Sequence, residues 1–439
     1  MINKFKLTAF GLFLGLTGVA QEVEFTEYDL DNGLHVILHQ DNTAPVVTTS
    51  VMYEVGGKDR INGKTGFAHF FEHLLFEGTE NIGNGEWFKI VSSHGGSNNA
   101  NTSNDRTYYY EVFPSNNLEL GLWMESERML HPVIGQKGVD TQNEVVKEER
   151  RMRYDNTPYG NIINEIFANL FEKHPYKDPN VGYMDDLDAA TLEEFKQFFD
   201  IYYVPNNATL VVAGDIDIEE TKEMIQDYFG PIPAGEEVTR DFPEEEPITE
   251  TIEATAYDAN IQIPALLLGY RTPAFTERDA YVLDMISSIL SDGKSSRLYK
   301  KLVDDQKQAL EVAAINLGQQ DYGTYVILAL PLGETSLDTL KQEIDEEIVK
   351  LQNELISQRE YEKLQNTFEN RFVNANSSIQ GIAGSLATYQ MLYGDTDLIN
   401  EQIDIYRSIT REEIQEVAKK YLNPNQRLEL EYLPKKASE

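Results

Sequence analysis

His69, Glu72 and His73 form the string His-x-x-Glu-His. On a helix advancing about 100° per residue from His69, Glu72 falls at about 300° and His73 at about 40°, so all three share one face. Phe67, Phe70, Phe71, Leu74 and Leu75 fall between about 100° and 240° and make an apolar face on the other side. Two imidazoles one turn apart can share a metal ion, and a carboxylate between them can reach a water held there. A pair of histidines on a merely polar face is the bland alternative. The chain has only 7 histidines, so such a string is hard to obtain by chance. It has no cysteine, so any metal must rest on His, Asp or Glu.

Two histidines leave a zinc site one protein ligand short. The segment Thr141 to Tyr154 reads as a helix, with Thr141 and Glu144 spaced as a capping box. With Glu149 at 0°, Val145, Val146 and Met152 fall at about 320°, 60° and 300°. Glu149 therefore sits amid apolar side chains, where a carboxylate is costly unless it binds a metal or a buried cation. Glu148 lies at the fringe of that face and reads as a solvated acid. His94 and His174 have no ligand spacing to anything and read as ordinary histidines.

These residues need a scaffold. Residues 66–77 read as the helix carrying the motif, with Thr65 as N-cap and Gly78 as its stop. Leu34 to Leu38, Val46 to Tyr53 and the Tyr-rich run Thr107 to Val112 read as strands. Gly95 to Thr102 precedes that run and, on its own residues, reads as a Gly/Asn-rich turn. The segment Pro231 to Glu253 carries four prolines and the run Glu244-Glu245-Glu246, as a linker would.

The chain also repeats itself. Thr191-Leu-Glu-Glu-Phe, Tyr202 and Pro205-Asn206 recur 219 residues later as Thr410-Arg-Glu-Glu-Ile, Tyr421 and Pro424-Asn425. Each Thr reads as a helix N-cap and each Pro-Asn as the turn into a closing strand. At an offset of 215 residues Gly78 falls on Gly293, and His69, Glu72 and His73 fall on Asp284, Ser287 and Ser288. The second half repeats the scaffold without the metal residues. The expected organisation is an export signal at 1–20, a metal-binding domain at 21–235, a linker at 236–255 and a metal-free homologous domain at 256–439.

With these motifs in place, the chain resembles the insulinase/pitrilysin family of inverzincin peptidases, which includes the mitochondrial processing peptidases. The resemblance runs through Leu30 to Leu38, Gly66 to Gly78, Glu144 to Arg151, Thr157-Pro158-Tyr159-Gly160 and Gly293 to Tyr299. It implies an α+β chain of two homologous α/β-sandwich domains, the mitochondrial processing peptidase-like metallohydrolase fold. It implies one Zn²⁺ per chain on His69, His73 and Glu149, with Glu72 as general base. It also implies that Asn99 and Ala100, on an active-site edge strand, meet the backbone of an extended peptide. Members close as clamshells of four such domains, so two domains imply a homodimer or a heterodimer with a metal-free homologue. One departure stands out: the family's usual Glu seven residues before the third ligand is Gln142 here. The substrate-holding Arg and Tyr found in many members have no clear counterpart. Arg297, Tyr299 and Tyr322 are the nearest, and a second chain is the other source.

Composition bounds the function. With 37 Lys+Arg against 74 Asp+Glu the net charge is -37, which disfavours nucleic acid and attracts basic peptides at most through a long-range field. Lys4 and Lys6, the apolar run Leu7 to Val19 and small residues before Gln21 form an export signal too short to span a bilayer. No later stretch is apolar enough for a span. The sequence thus reads as an exported, soluble zinc endopeptidase acting on unstructured peptides. A non-catalytic scaffold, like the family's respiratory-complex core subunits, and a peptide-trapping module are the alternatives; scaffolds of that kind usually lose the motif.

Overall fold

The computed structural model describes residues 22–435; the export signal read at 1–20 lies outside them. Alternating apolar runs produce two sheets. The first contains β1 (Thr26–Asp29), β2 (His35–Gln40), β3 (Val46–Tyr53), β4 (Ser97–Thr102), β5 (Thr107–Pro114) and β6 (Ala208–Gly214), ordered β1-β2-β6-β3-β5-β4. The second contains β7 (Ile252–Asp258), β8 (Ala265–Thr272), β9 (Ala309–Leu317), β10 (Gly323–Pro331) and β11 (Leu428–Pro434), ordered β7-β11-β8-β10-β9. Apart from β1, the two orders correspond strand for strand. In each sheet the strand that closes the repeat pairs in parallel with the first, β6 with β2 and β11 with β7. The remaining neighbours are antiparallel. The duplication read from the Thr and Pro-Asn spacing is thus a duplicated topology, and the chain is a two-domain α+β protein. Both Thr residues are N-caps, with complete capping boxes Thr191/Glu194 and Thr410/Glu413.

Each sheet buries one face under helices of its own half. In the first, Phe67, Phe70 and Phe71 pack with Phe195, Phe198 and Tyr203 against the sheet. In the second, Leu283, Ile286 and Leu290 pack with Ile344, Ile414 and Val417. The other faces are covered by exchange. Helix Ile162–Leu170, from the first half, places Ile162, Ile166 and Leu170 against Leu267, Leu428 and Leu430 of the second sheet. Helix Ile379–Thr388, from the second half, places Ile382, Ala383, Leu386 and Ala387 against Ile37, Met52, Val211 and Ala213 of the first. A two-sided sheet needs two apolar covers, and each half supplies one of the other's.

No helix or strand lies between Phe229 and Ile252, but that segment is pinned. Arg240 pairs with Asp59 at 2.8 Å, and Glu245 accepts the backbone N–H groups of Glu172, Lys173 and His174. At the seam between the halves, buried Lys58 pairs with Asp105 of the first half at 3.0 Å and Asp321 of the second at 2.9 Å. His174, read as ordinary, is buried beside Asp321 at 3.4 Å; His94 is exposed and bonds to the carbonyl of Ile90. Among the described residues no helix is long and apolar enough to cross a membrane.

Candidate metal centre and active site

The motif helix runs Phe67–Leu74, shorter at both ends than its sequence suggests. Gly66, not Thr65, is its N-cap, at φ 85°. A Cβ at Gly66 would lie 2.8 Å from the Cα of Gly182, itself at positive φ, so the two backbones touch where only glycine fits. Thr65 instead donates its hydroxyl to Asp186 at 2.6 Å and accepts the N–H of Tyr183 at 3.0 Å. The 182–186 loop thereby fixes the start of the His69–His73 helix. It also holds the neighbouring helix, Gln136–Arg150, because Arg150 donates to the carbonyl of Gly182. Helix Gln136–Arg150 packs against the motif helix through Gly138, where a Cβ would lie 3.4 Å from Leu74.

Two readings of this second helix need correction. It begins at Gln136 after Gly135, so Thr141 is interior and its hydroxyl back-bonds to the carbonyl of Lys137. Glu144 pairs with Lys147 on the surface instead of completing a capping box. The apolar surroundings of Glu149 are also thinner than the helical angles imply. Val146 is fully buried, but Val145 is 43% and Met152 63% exposed. A π-turn at Arg151–Asp155 changes the phase after Arg150, which carries Met152 away.

Glu149 nonetheless faces the histidines. Its Oε2 lies 2.9 Å from His73 Nε2 and its Oε1 3.7 Å from His69 Nε2. One ligand atom from each of the three residues falls within 4.8 Å of the others. Burial alone would raise the Glu149 carboxyl, but the hydrogen bonds of His69 and His73 outweigh it and hold the group well below the usual carboxylate range. Two imidazole nitrogens and one carboxylate oxygen, with both Nε2 atoms turned to a common point, suit Zn²⁺ and leave a fourth position open. Glu148, by contrast, is exposed and paired with Arg151 at 3.1 Å. The buried Nδ1 of His69 has no partner, so this ligand lacks the acceptor that commonly fixes a zinc-bound imidazole. Gln142 donates its amide to Glu77 instead of to a ligand.

Glu72 sits between the histidines, and Thr102 Oγ1 donates to its Oε2 at 2.7 Å. That contact joins the motif helix to β4, the edge of the first sheet. The Ser103 N–H donates to Arg106 O across the β4–β5 hairpin. Antiparallel alternation then turns the backbone groups of Asn101 and Asn99 toward β5 and those of Ala100 and Thr102 outward. The amide of Asn180 reaches the outward Thr102 carbonyl at 2.9 Å, as this phase requires. Ala100 is buried and Asn99 exposed. Sequence reasoning missed Thr102, Asn180 and Arg153, whose guanidinium lies 3.0 Å from Glu149. Thr102 was within reach, because it stands two residues from Ala100 on the same strand face.

Arg297, Tyr299 and Tyr322 are engaged in the second half. Arg297 pairs with Glu360 at 2.9 Å, the Tyr322 hydroxyl accepts the Glu245 N–H at 3.0 Å, and Tyr299 packs on the second core.

Known proteins share this architecture. Residues 35–182 match the family described as Insulinase (Peptidase family M16), and residues 189–368 match Peptidase M16 inactive domain. Zinc protease PqqE of Helicobacter pylori is 32% identical over 382 residues, 86% of either chain. A protease from Helicobacter pylori superposes with a TM-score of 0.88 at 30% identity, covering 93% of this chain and 99% of its own. The periplasmic protease PqqL of Escherichia coli shares the fold at a TM-score of 0.76 and 20% identity, and there 94% of this chain spans 48% of the longer one. A peptidase-domain match over the half that gathers His69, His73 and Glu149, an inactive-domain match over the half without them, and a relative alike over most of both lengths lead to one conclusion: the chain belongs to the insulinase peptidase family M16.

Proposed function

We propose that the protein is an exported zinc-dependent endopeptidase that hydrolyses unstructured peptides. The observation that carries this reading is the convergence of His69, His73 and Glu149 within 4.8 Å beside a carboxylate, Glu72, that touches the edge strand. His69, His73 and Glu149 would hold Zn²⁺, one per chain. Bound there, the ion would polarise the scissile carbonyl and make water more acidic. Glu72 accepts the proton of the attacking water at its carboxylate and delivers it to the leaving amine nitrogen. Thr102 holds one oxygen of Glu72 and leaves the other free for that transfer. Ala100 offers an outward N–H and C=O to an extended peptide, and Asn99 flanks it, so the substrate joins the sheet as a further strand. A folded protein has few segments free to do this.

The match to about half of PqqL supports a partnership of two such chains, and we propose a dimer, with itself or with a metal-free homologue. The test is hydrolysis of a quenched peptide by protein stripped of metal and then given zinc, run beside light scattering. Activity that never depends on zinc overturns the enzyme reading, and a fully active monomer overturns the assembly.

A further inference from the structure

A cavity of about 780 Å³ lies between the two halves. Ser103, Arg106 and Asn180 wall it on one side, and Tyr281, Gln319 and Tyr393 on the other. It opens where β4 stops being available to a partner, because the outward carbonyl of Thr102 is already taken by Asn180. A peptide laid along Ala100 would find the Thr102 carbonyl already taken, and the cavity lining begins at the next residue, Ser103.

The charges on this wall are unevenly satisfied. Asp105 is held by Lys58, by the Tyr176 hydroxyl and by the backbone N–H of Gln320. Asp178 pairs with Arg60. Asp284 accepts from Asn316 at 2.9 Å and from the Tyr406 hydroxyl at 2.8 Å. Arg106 is the basic residue of the lining; its guanidinium donates to the carbonyl and side-chain oxygens of Asn101 and lies over the Tyr108 ring. Among the described residues it makes no ion pair, and Glu72 and Asp105 act on it only from longer range. Its charge has no bound carboxylate, and the fork of its N–H groups matches a carboxylate in two parallel hydrogen bonds.

Building on the proposed function, we infer that the cavity is a specificity subsite in which Arg106 binds a carboxylate of the peptide, either an acidic side chain or the free C-terminus. The net charge of -37 repels acidic peptides at long range, but this contact is local. Salt should therefore weaken the repulsion without abolishing the selection.

The test uses zinc-loaded Glu72→Gln protein, so that binding is read without cleavage. Fluorescent peptides carry Glu, Gln or Lys at successive positions, each as free acid and as C-terminal amide, and anisotropy gives their affinities. At one position Glu should bind about tenfold better than Gln, or the acid about tenfold better than the amide. Dependence on an internal position identifies a side chain; dependence on the amide identifies the terminus. Arg106→Gln should bring the ratio close to one, and Arg106→Lys should restore part of it, with circular dichroism confirming that both fold. The inference is overturned if the parent protein binds all the peptides alike, or if the preference survives in Arg106→Gln. If the Glu72 enzyme cleaves none of these peptides, the proposed function falls, while the anisotropy ratios still decide the subsite.

Discussion

The motif helix Phe67–Leu74 and the helix Arg278–Ser291 occupy the same place in the repeated topology, each following the strand that begins the sheet's antiparallel run. Each turns polar side chains toward a second helix, Gln136–Arg150 in the first half and Gln358–Ala375 in the other. What they present is opposite. In the first half Glu149 faces two imidazoles. In the second, Arg371 faces Ser288 at 3.2 Å and Asp292 at 2.6 Å, while Asp284 is spent on Asn316 and Tyr406. A cavity of about 550 Å³ remains there, but its acids Asp284 and Asp292 already have partners, and Arg371 lines it as a cation. Burial pushes the Asp284 carboxyl up, against the hydrogen bonds of Asn316 and Tyr406, which lower it. The scaffold thus provides a polar helix face opposite another helix in both halves, and three side chains decide whether that place can hold a metal.

The sharpest way to break this contrast is to empty the first site. Glu149→Ala should lower zinc per chain close to zero by elemental analysis, taking activity with it, whereas Glu148→Ala should keep zinc near the parent value. The reverse outcome would mean that the helix phase is misread. Next in size is Glu72→Gln, which should retain zinc yet lose about 10²–10⁴-fold in kcat/KM, the usual worth of a general base. Near-normal turnover at full zinc occupancy would remove Glu72 from that role. Smaller is Ala100→Pro. Its N–H points away from β5, so the ladder should survive, but one hydrogen bond to the peptide is lost and kcat/KM should fall about tenfold. Asn101→Pro, whose N–H faces β5, should instead lower the melting temperature, and equal effects of the two would contradict the strand phase.

The smallest effect compares the two capping boxes. Burial opposes ionisation of Glu194, but Lys64, Asn62 and Thr191 outweigh it and bring its pKa from 4.5 down to about 2. Glu413 is lowered mainly by Arg278. A carboxylate with a lowered folded pKa stabilises fully above its unfolded value and loses that contribution as pH falls through the folded one. Glu194→Gln should therefore lower the melting temperature by roughly 2 °C more than Glu413→Gln at neutral pH. The gap should close as pH drops from about 4.5 toward 2. A gap that does not change with pH would show that packing, not charge, separates the boxes.

Short-range features of this chain were legible in its residues. The angles of His69, Glu72 and His73, the phase of Glu149 and the Thr and Pro-Asn repeats depend on helix and turn geometry, which adjacent residues determine. The start of helix Gln136–Arg150 was hidden because Thr141 and Glu144 carry the spacing of a capping box, whereas the Thr141 hydroxyl back-bonds to Lys137 inside the helix. Thr65 has every local property of an N-cap, yet Asp186 and Tyr183 claim its hydroxyl. The Thr102–Glu72 contact joins residues 30 apart through sheet packing. The exchanged helices Ile162–Leu170 and Ile379–Thr388 have ordinary amphipathic patterns, and nothing in those patterns says which sheet they cover.

That exchange governs the order in which the molecule can be built. Strands of the first sheet are complete once residue 214 has been made, but Ile37, Met52, Val211 and Ala213 gain their cover only when Ile382 and Leu386 arrive from far down the chain. Until then a growing chain carries an open apolar surface beside its motif helix, a state prone to sticking to other chains. A fragment limited to the first half would therefore leave that face of its sheet uncovered. A chain ending before Ile379 would keep His69, His73, Glu72 and Glu149 while lacking the outer wall of the sheet that carries Ala100.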